Sequence, residues 1–87
     1  MRLSRLVWDE GNVEHIGRHG ICAREAEQAC LSRPKVRRGR CGRYLVLGRT
    51  AGGRYLLVVV VHLGGGEGRV ITARDMDSRE RALYGRK

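Results

Sequence analysis

Three histidines, His15, His19 and His62, are the only side chains in this 87-residue sequence that titrate near neutrality without a large shift. Around them lie 18 lysines and arginines, nearly all of them arginine. Histidine can take or give a proton at pH 7, and the planar guanidinium suits phosphate better than the point charge of lysine does. Proton transfer beside a phosphate is therefore the chemistry that these residue types suit. His15 and His19 also stand at i and i+4, a pair that could hold a metal, but no carboxylate occupies a matching position and there is no HExxH pattern. The cysteines, Cys22, Cys30 and Cys41, are odd in number, include no CxxC pair and match no zinc spacing, so they read as thiols in a reducing compartment and no metal is expected.

The charge is uneven. Against 9 acidic residues the formal net charge is +9, and residues 33–63 hold eight basic residues and no acidic one. A basic chain without a membrane-binding apolar face meets nucleic acid or an acidic protein, unless arginine merely serves as a solubiliser. With only Trp8, Tyr44, Tyr55 and Tyr84 as aromatics, the chain lacks the stacking platform of a single-strand binder, which favours contact with the nucleic-acid backbone. The length gives one domain, residues 1–87, with a small core. No uninterrupted hydrophobic run follows the basic N-terminal residues, so neither a signal peptide nor a membrane helix is expected, and the address is cytoplasmic.

The elements that must position these groups are organised around Arg54 to His62, which contains four consecutive valines. Valine is stiff at χ1 and fits a pleated surface, so the stretch reads as a central strand covered on both faces. Alternation puts Arg54, Leu56, Val58, Val60 and His62 on one face and Tyr55, Leu57, Val59 and Val61 on the other. Tyr44 to Gly48 forms a hairpin with it, and Arg69 to Arg74 adds a third strand. Leu3 to Trp8 is a short edge strand. A first helix has Asp9 as N-cap and closes at Gly20, and a second covers about Ala23 to Leu31, with a narrow stripe of small residues for close packing. Asp77 and Glu80 have the spacing of a capping box that opens a last helix through Tyr84. Residues 35–43 form either a flexible loop or a short edge strand. The whole is a small α+β domain, an antiparallel sheet of about four strands with helices packed on it.

In this order, several pieces resemble the BrnT toxins of bacterial type II toxin–antitoxin pairs, of the broader RelE-like ribonuclease fold. They are Trp8-Asp9, His15, Arg18-His19-Gly20-Ile21, Glu25-Ala26, Arg43-Tyr44 leading to Gly48, Arg54, the segment from Arg69 to Arg74, and Arg79-Glu80-Arg81 with Tyr84. The resemblance implies a metal-independent endoribonuclease, needing no cofactor, that arrests translation and is neutralised by a DNA-binding antitoxin. That antitoxin would be a ribbon-helix-helix dimer bringing two toxins together, the toxin alone being a monomer or weak dimer. Two positions depart from the pattern: Gly42 stands where an acidic residue is usual, and Asp75 where a lysine is common. Both are expected to touch the site. They keep open a second reading, a solitary, non-catalytic nucleic-acid-binding module with the same fold.

Cutting RNA without a metal requires a base for the 2′-hydroxyl, an acid for the leaving 5′-oxygen and cations for the phosphoryl oxygens. His19, Arg54, Arg74 and Arg79 are the expected catalytic residues. Arg37, Arg38, Arg40, Arg43, His62 and Tyr84 are the expected RNA-binding ones. Arg43, Arg54, Arg74 and Arg79 are expected to converge on one sheet face, with Arg74 sharing a face with Val70 and Thr72 and lying near Arg79 and, across the sheet, His19. The competing roles are ordinary: a solvated basic rim for any one arginine, capping or packing for His15, and packing for Tyr84.

Overall fold

The structure, a computed structural model, describes residues 2–86. Its chain order is β1 (Arg5–Val7), α1 (Glu10–Gly17), α2 (Ala23–Leu31), β2 (Lys35–Arg38), β3 (Arg43–Arg49), β4 (Tyr55–Gly64), β5 (Glu67–Asp75) and α3 (Ser78–Tyr84). The strands form one sheet in the order β1-β5-β4-β3-β2, antiparallel throughout except where β1 runs parallel to β5. The fold is α+β, with five strands where about four were expected. The segment left open by sequence, residues 35–43, supplies the fifth as an edge strand and a turn. Arginine and lysine there blunt an edge that would otherwise invite pairing.

β4 is central, and its alternation holds. Leu56, Val58 and Val60 join a core with Leu6, Ile16, Ile21, Ala26 and Cys30 beneath α1 and α2. Leu57 lies on the other face with Leu47 and Met76, covered by Tyr55, Leu83 and Tyr84. Helices therefore cover both faces, α3 alone on the second. The narrow stripe on α2 has a partner: a Cβ built at Gly48 of β3 would collide with the backbone of Ala29, so glycine is what lets this helix approach the sheet so closely.

α1 begins as its sequence predicts, the Asp9 carboxylate accepting from the Asn12 N–H at 2.9 Å while the Asn12 side chain accepts from the Asp9 N–H at 2.8 Å. Asn12 is buried and also donates to the carbonyls of Val7 and Val70, so it finishes the β1–β5 ladder where β1 stops. The chain leaves the helix at Gly20, whose φ of 73° and whose pair of bonds, Gly20 N–H to Gly17 and Ile21 N–H to Ile16, make a Schellman closure. α3 opens on the expected capping box between Asp77 and Glu80.

One irregularity decides where β5 points its side chains. Val59 pairs with Thr72 but Val60 pairs with Val70, so β5 carries one extra residue at that step. Val70, opposite Val60, faces α1 and α2, while Arg74, opposite Leu57, faces the α3 side. The expectation that Arg74 shares a face with Val70 fails because this bulge breaks the alternation.

Candidate functional site

At the end of the sheet where β4 begins, Arg54 holds three elements together. Its Nε and Nη2 donate to the Asp75 carboxylate at 2.8 and 3.3 Å, and its Nη1 donates to the Gly20 carbonyl at 2.8 Å and to Glu25 at 3.3 Å. The end of β5, the turn after α1 and the first turn of α2 are thereby fixed to one guanidinium, leaving at most one N–H of its five for a ligand. Its pKa is raised, first by the bond to Asp75. That bond is also the main cause holding Asp75 below its ordinary value, whereas Glu25 is lowered first by the Cys22 backbone N–H and then by Arg54.

Arg74 lies beside this group on the other face. It donates to both Glu80 oxygens at 2.7 and 2.8 Å and to the Asp75 carbonyl at 3.0 Å. The Asp75 residue is therefore clasped twice, its carboxylate by Arg54 and its carbonyl by Arg74. Glu80 in turn does two jobs, pairing with Arg74 and capping α3 through the Asp77 N–H at 2.9 Å. Its pKa is lowered, chiefly by Arg74. Arg79 is exposed next to Glu80 and has no ion-pair partner among the described residues.

His19 is exposed on the turn whose Gly20 carbonyl Arg54 grips, so Arg54 holds the backbone next to His19 without touching its ring. The rings of His19 and His15 stand edge-on at 5.6 Å, and His15 Nε2 is 3.0 Å from the Thr72 hydroxyl, which makes His15 a packing contact between α1 and β5. Among the described residues no three His, Cys, Asp or Glu side chains are placed to hold a metal. The cysteines are free, and burial pushes the Cys30 thiol up to about 12.

The expected RNA-binding arginines lie elsewhere. Arg37 and Arg38 on β2, Arg40 in the following turn and Arg43 at the start of β3 are exposed, without a carboxylate partner among the described residues. A surface cleft of about 300 Å³ opens between Arg38, Gly42, Arg43 and Tyr44. His62, exposed, meets the edge of Tyr44 at 6.3 Å between ring centroids. Arg43 pairs with Val61 and Asp75 with Leu56, so at about 3.4 Å per residue these groups are roughly 17 Å apart along β4. Two expectations give way here. Arg43 does not converge with Arg54 and Arg74, and of the two departures only Asp75 touches this group, Gly42 lying at the far end. Arg54 and Arg74, although adjacent, sit on opposite faces.

Sequence reasoning placed Asp75 at the site, but missed that it, Glu25 and Glu80 would be the carboxylates that pair with the arginines. The Glu80 capping position was legible, but a side chain that caps and pairs at once leaves no separate signal. It also missed Arg49 and Arg81, whose guanidinium carbons lie 5.1 and 4.3 Å from the centre of the Tyr55 ring. Tyr84 packs edge-on against the same ring at 6.0 Å, so its packing role is realised.

The sequence profile described as "Ribonuclease toxin, BrnT, of type II toxin-antitoxin system" matches residues 8–80. Among solved structures, the crystal structure of the Brucella abortus ribonuclease toxin BrnT superposes with a TM-score of 0.69 at 22% identity, covering 85% of this chain and 97% of that one. That likeness is one of fold. No curated protein matches the chain.

Proposed function

The chain belongs to the BrnT family of ribonuclease toxins of type II toxin–antitoxin systems, and from that membership we propose that it is an endoribonuclease that cuts RNA without a metal and inhibits translation in the cytoplasm. The observation that carries this reading is the family match across residues 8–80. The geometry supports a division of roles. His19, exposed beside Gly20, transfers the proton. Arg54 positions the turn that bears it and offers its remaining N–H to the phosphoryl oxygens. Arg74 and Arg79 supply further charge from the α3 side, Arg74 by exchanging a Glu80 oxygen for a phosphate oxygen. Arg37, Arg38, Arg40, Arg43 and His62 attract and hold the strand. The reaction needs only the protons and charges of these side chains, so expression without a partner arrests growth and the purified protein cuts RNA in EDTA. A folded protein that is harmless and inactive on RNA would overturn the reading.

Membership in a type II system implies an antitoxin. We assign it to a ribbon-helix-helix protein encoded beside the toxin, the toxin alone being a monomer or weak dimer. Co-expression with the adjacent small protein gives a complex at low salt, and its absence removes this assignment.

One observation favours a second reading. Asp75 occupies the guanidinium of Arg54, a position where the family commonly has lysine, and a carboxylate there competes with phosphate. A solitary, non-catalytic nucleic-acid-binding module would bind RNA with a steep salt dependence and leave it intact. A neighbouring frame with a ribbon-helix-helix pattern supports the toxin, and its absence supports the module.

A further inference from the structure

A second concave surface lies on the α3 side of the hairpin between β3 and β4. A cleft of about 380 Å³ is lined there by Ser32, Arg33, Arg49, Thr50, Gly53 and Tyr84. No carboxylate lines it. At Gly53 it adjoins a second cleft of about 300 Å³ that contains Arg54, Tyr55, Asp75 and Arg81, part of the site already described. The partition between the two is built from the Tyr55 ring with Arg49 and Arg81 stacked over it. Stacking fixes the plane of each guanidinium without consuming its N–H groups, and neither arginine has an ion-pair partner among the described residues. Gly53 leaves room for this, its Cα lying so close to the Arg49 guanidinium that a Cβ would press on it at 3.3 Å.

We infer that this cleft is a subsite for single-stranded RNA, holding the phosphates and one base of the nucleotides next to the scissile bond. The inference rests on the ribonuclease reading for what lies in the adjoining cleft. Two guanidiniums pinned on one aromatic ring, with Arg33 beyond them, present donor edges in series, which suits a ligand carrying one charge per nucleotide along a flexible backbone. Tyr84 supplies a ring edge at the cleft wall. An acidic peptide would find the same charge, but the strand is favoured because the cleft continues at Gly53 into the one that contains Arg54 and Asp75.

The test uses a 2′-O-methyl oligoribonucleotide, which cannot be cut, so binding is read whether or not the protein cleaves. Replacing Arg49 and Arg81 together with glutamine lowers the slope of log affinity against log salt by roughly 1.4, about 0.7 for each lost phosphate contact on a single strand. Arg24→Gln, on the exposed face of α2, leaves it unchanged. A second measurement needs no variant: the same oligonucleotide carrying 5-iodouridine, irradiated with the wild-type protein, gives an adduct on Tyr84, found in the tryptic peptide of residues 82–86. An unchanged slope, or adducts confined to Tyr44, overturns the inference. So does a double variant that keeps its RNA slope and loses the complex with the adjacent small protein, because the cleft would then be a protein-docking surface. A wild-type protein that binds in this way but never cuts cleavable RNA removes the ribonuclease reading and leaves the subsite standing.

Discussion

Arg54 and Arg74, at the end of the sheet where β4 begins, are each gripped by carboxylates, whereas Arg37, Arg38, Arg40 and Arg43, toward the end where β4 finishes, face none among the described residues. The residue type is the same and its state is opposite. A guanidinium in a bidentate pair has its plane and position set, but must give up an oxygen before it can hold another. One that projects into water is immediately available and poorly oriented. The first arrangement suits aligning a reacting phosphate, the second suits drawing a polyanion in from solution. Net charge alone does not distinguish them.

The largest effect expected from this contrast is at Arg54. Arg54→Ala leaves Glu25 and Asp75 without their shared cation and frees the turn carrying His19. It should lower stability by about 1 to 2 kcal/mol, the range for bonds to charged groups discounted for a half-exposed site, and slow single-turnover cleavage by roughly a hundredfold or more. Arg38→Ala should alter stability by no more than about 0.5 kcal/mol. Denaturant midpoints and cleavage rates measured together decide it. If the two variants match, the closed end has no special standing.

Arg74→Ala sharpens the comparison without touching the three-element clasp. At saturating protein its cleavage rate should fall roughly a hundredfold, against a small loss for Arg38→Ala that grows with salt. Equal small losses in two folded variants would show Arg74 to be part of the basic surface and remove it from the site.

How far the sequence reached follows the same division. Periodicity read β4, its two faces, the α2 span and the Asp9 and Asp77 caps correctly, because each depends on neighbours a few residues apart. It did not decide β2, where basic residues and glycines hide a four-residue edge strand that only pairing with β3 defines. Nor could it place Arg74, since the extra residue of β5 becomes a bulge only against β4. The arginines were visible as charges, but their state was not. Arg54 meets Glu25 and Asp75 from 29 and 21 positions away, a juxtaposition made by the α2 docking at Gly48 and by the register of β4 with β5.

At the open end the expected effect is on binding. Replacing Arg37, Arg38, Arg40 and Arg43 with glutamine should flatten the salt dependence of RNA affinity by up to roughly 2.8 in log–log slope, about 0.7 per phosphate contact, with little change in folding stability. A shallower change counts how many of the four meet phosphate. A large loss of stability would mean that the open end is held by contacts other than those seen here.

The smallest effect separates the ends by pH. Asp75, Glu25 and Glu80 all sit below their ordinary values of 3.8, 4.5 and 4.5, so below those values the unfolded chain binds more protons than the folded one. By linkage their contribution is fully present above about pH 4.5 and is lost as pH falls through the lowered folded values. Wild-type protein should therefore hold a flat urea midpoint from pH 7 to about 5 and lose stability beneath it. Asp75→Asn with Glu80→Gln should start from lower stability and show a shallower acid limb, having two fewer carboxylates to protonate. The four-arginine variant of the open end, which pairs with no carboxylate, should keep the wild-type limb. If the limb instead flattens only in that variant, the arginines that hold carboxylates in solution are those of the open end, and the contrast between the two ends is reversed.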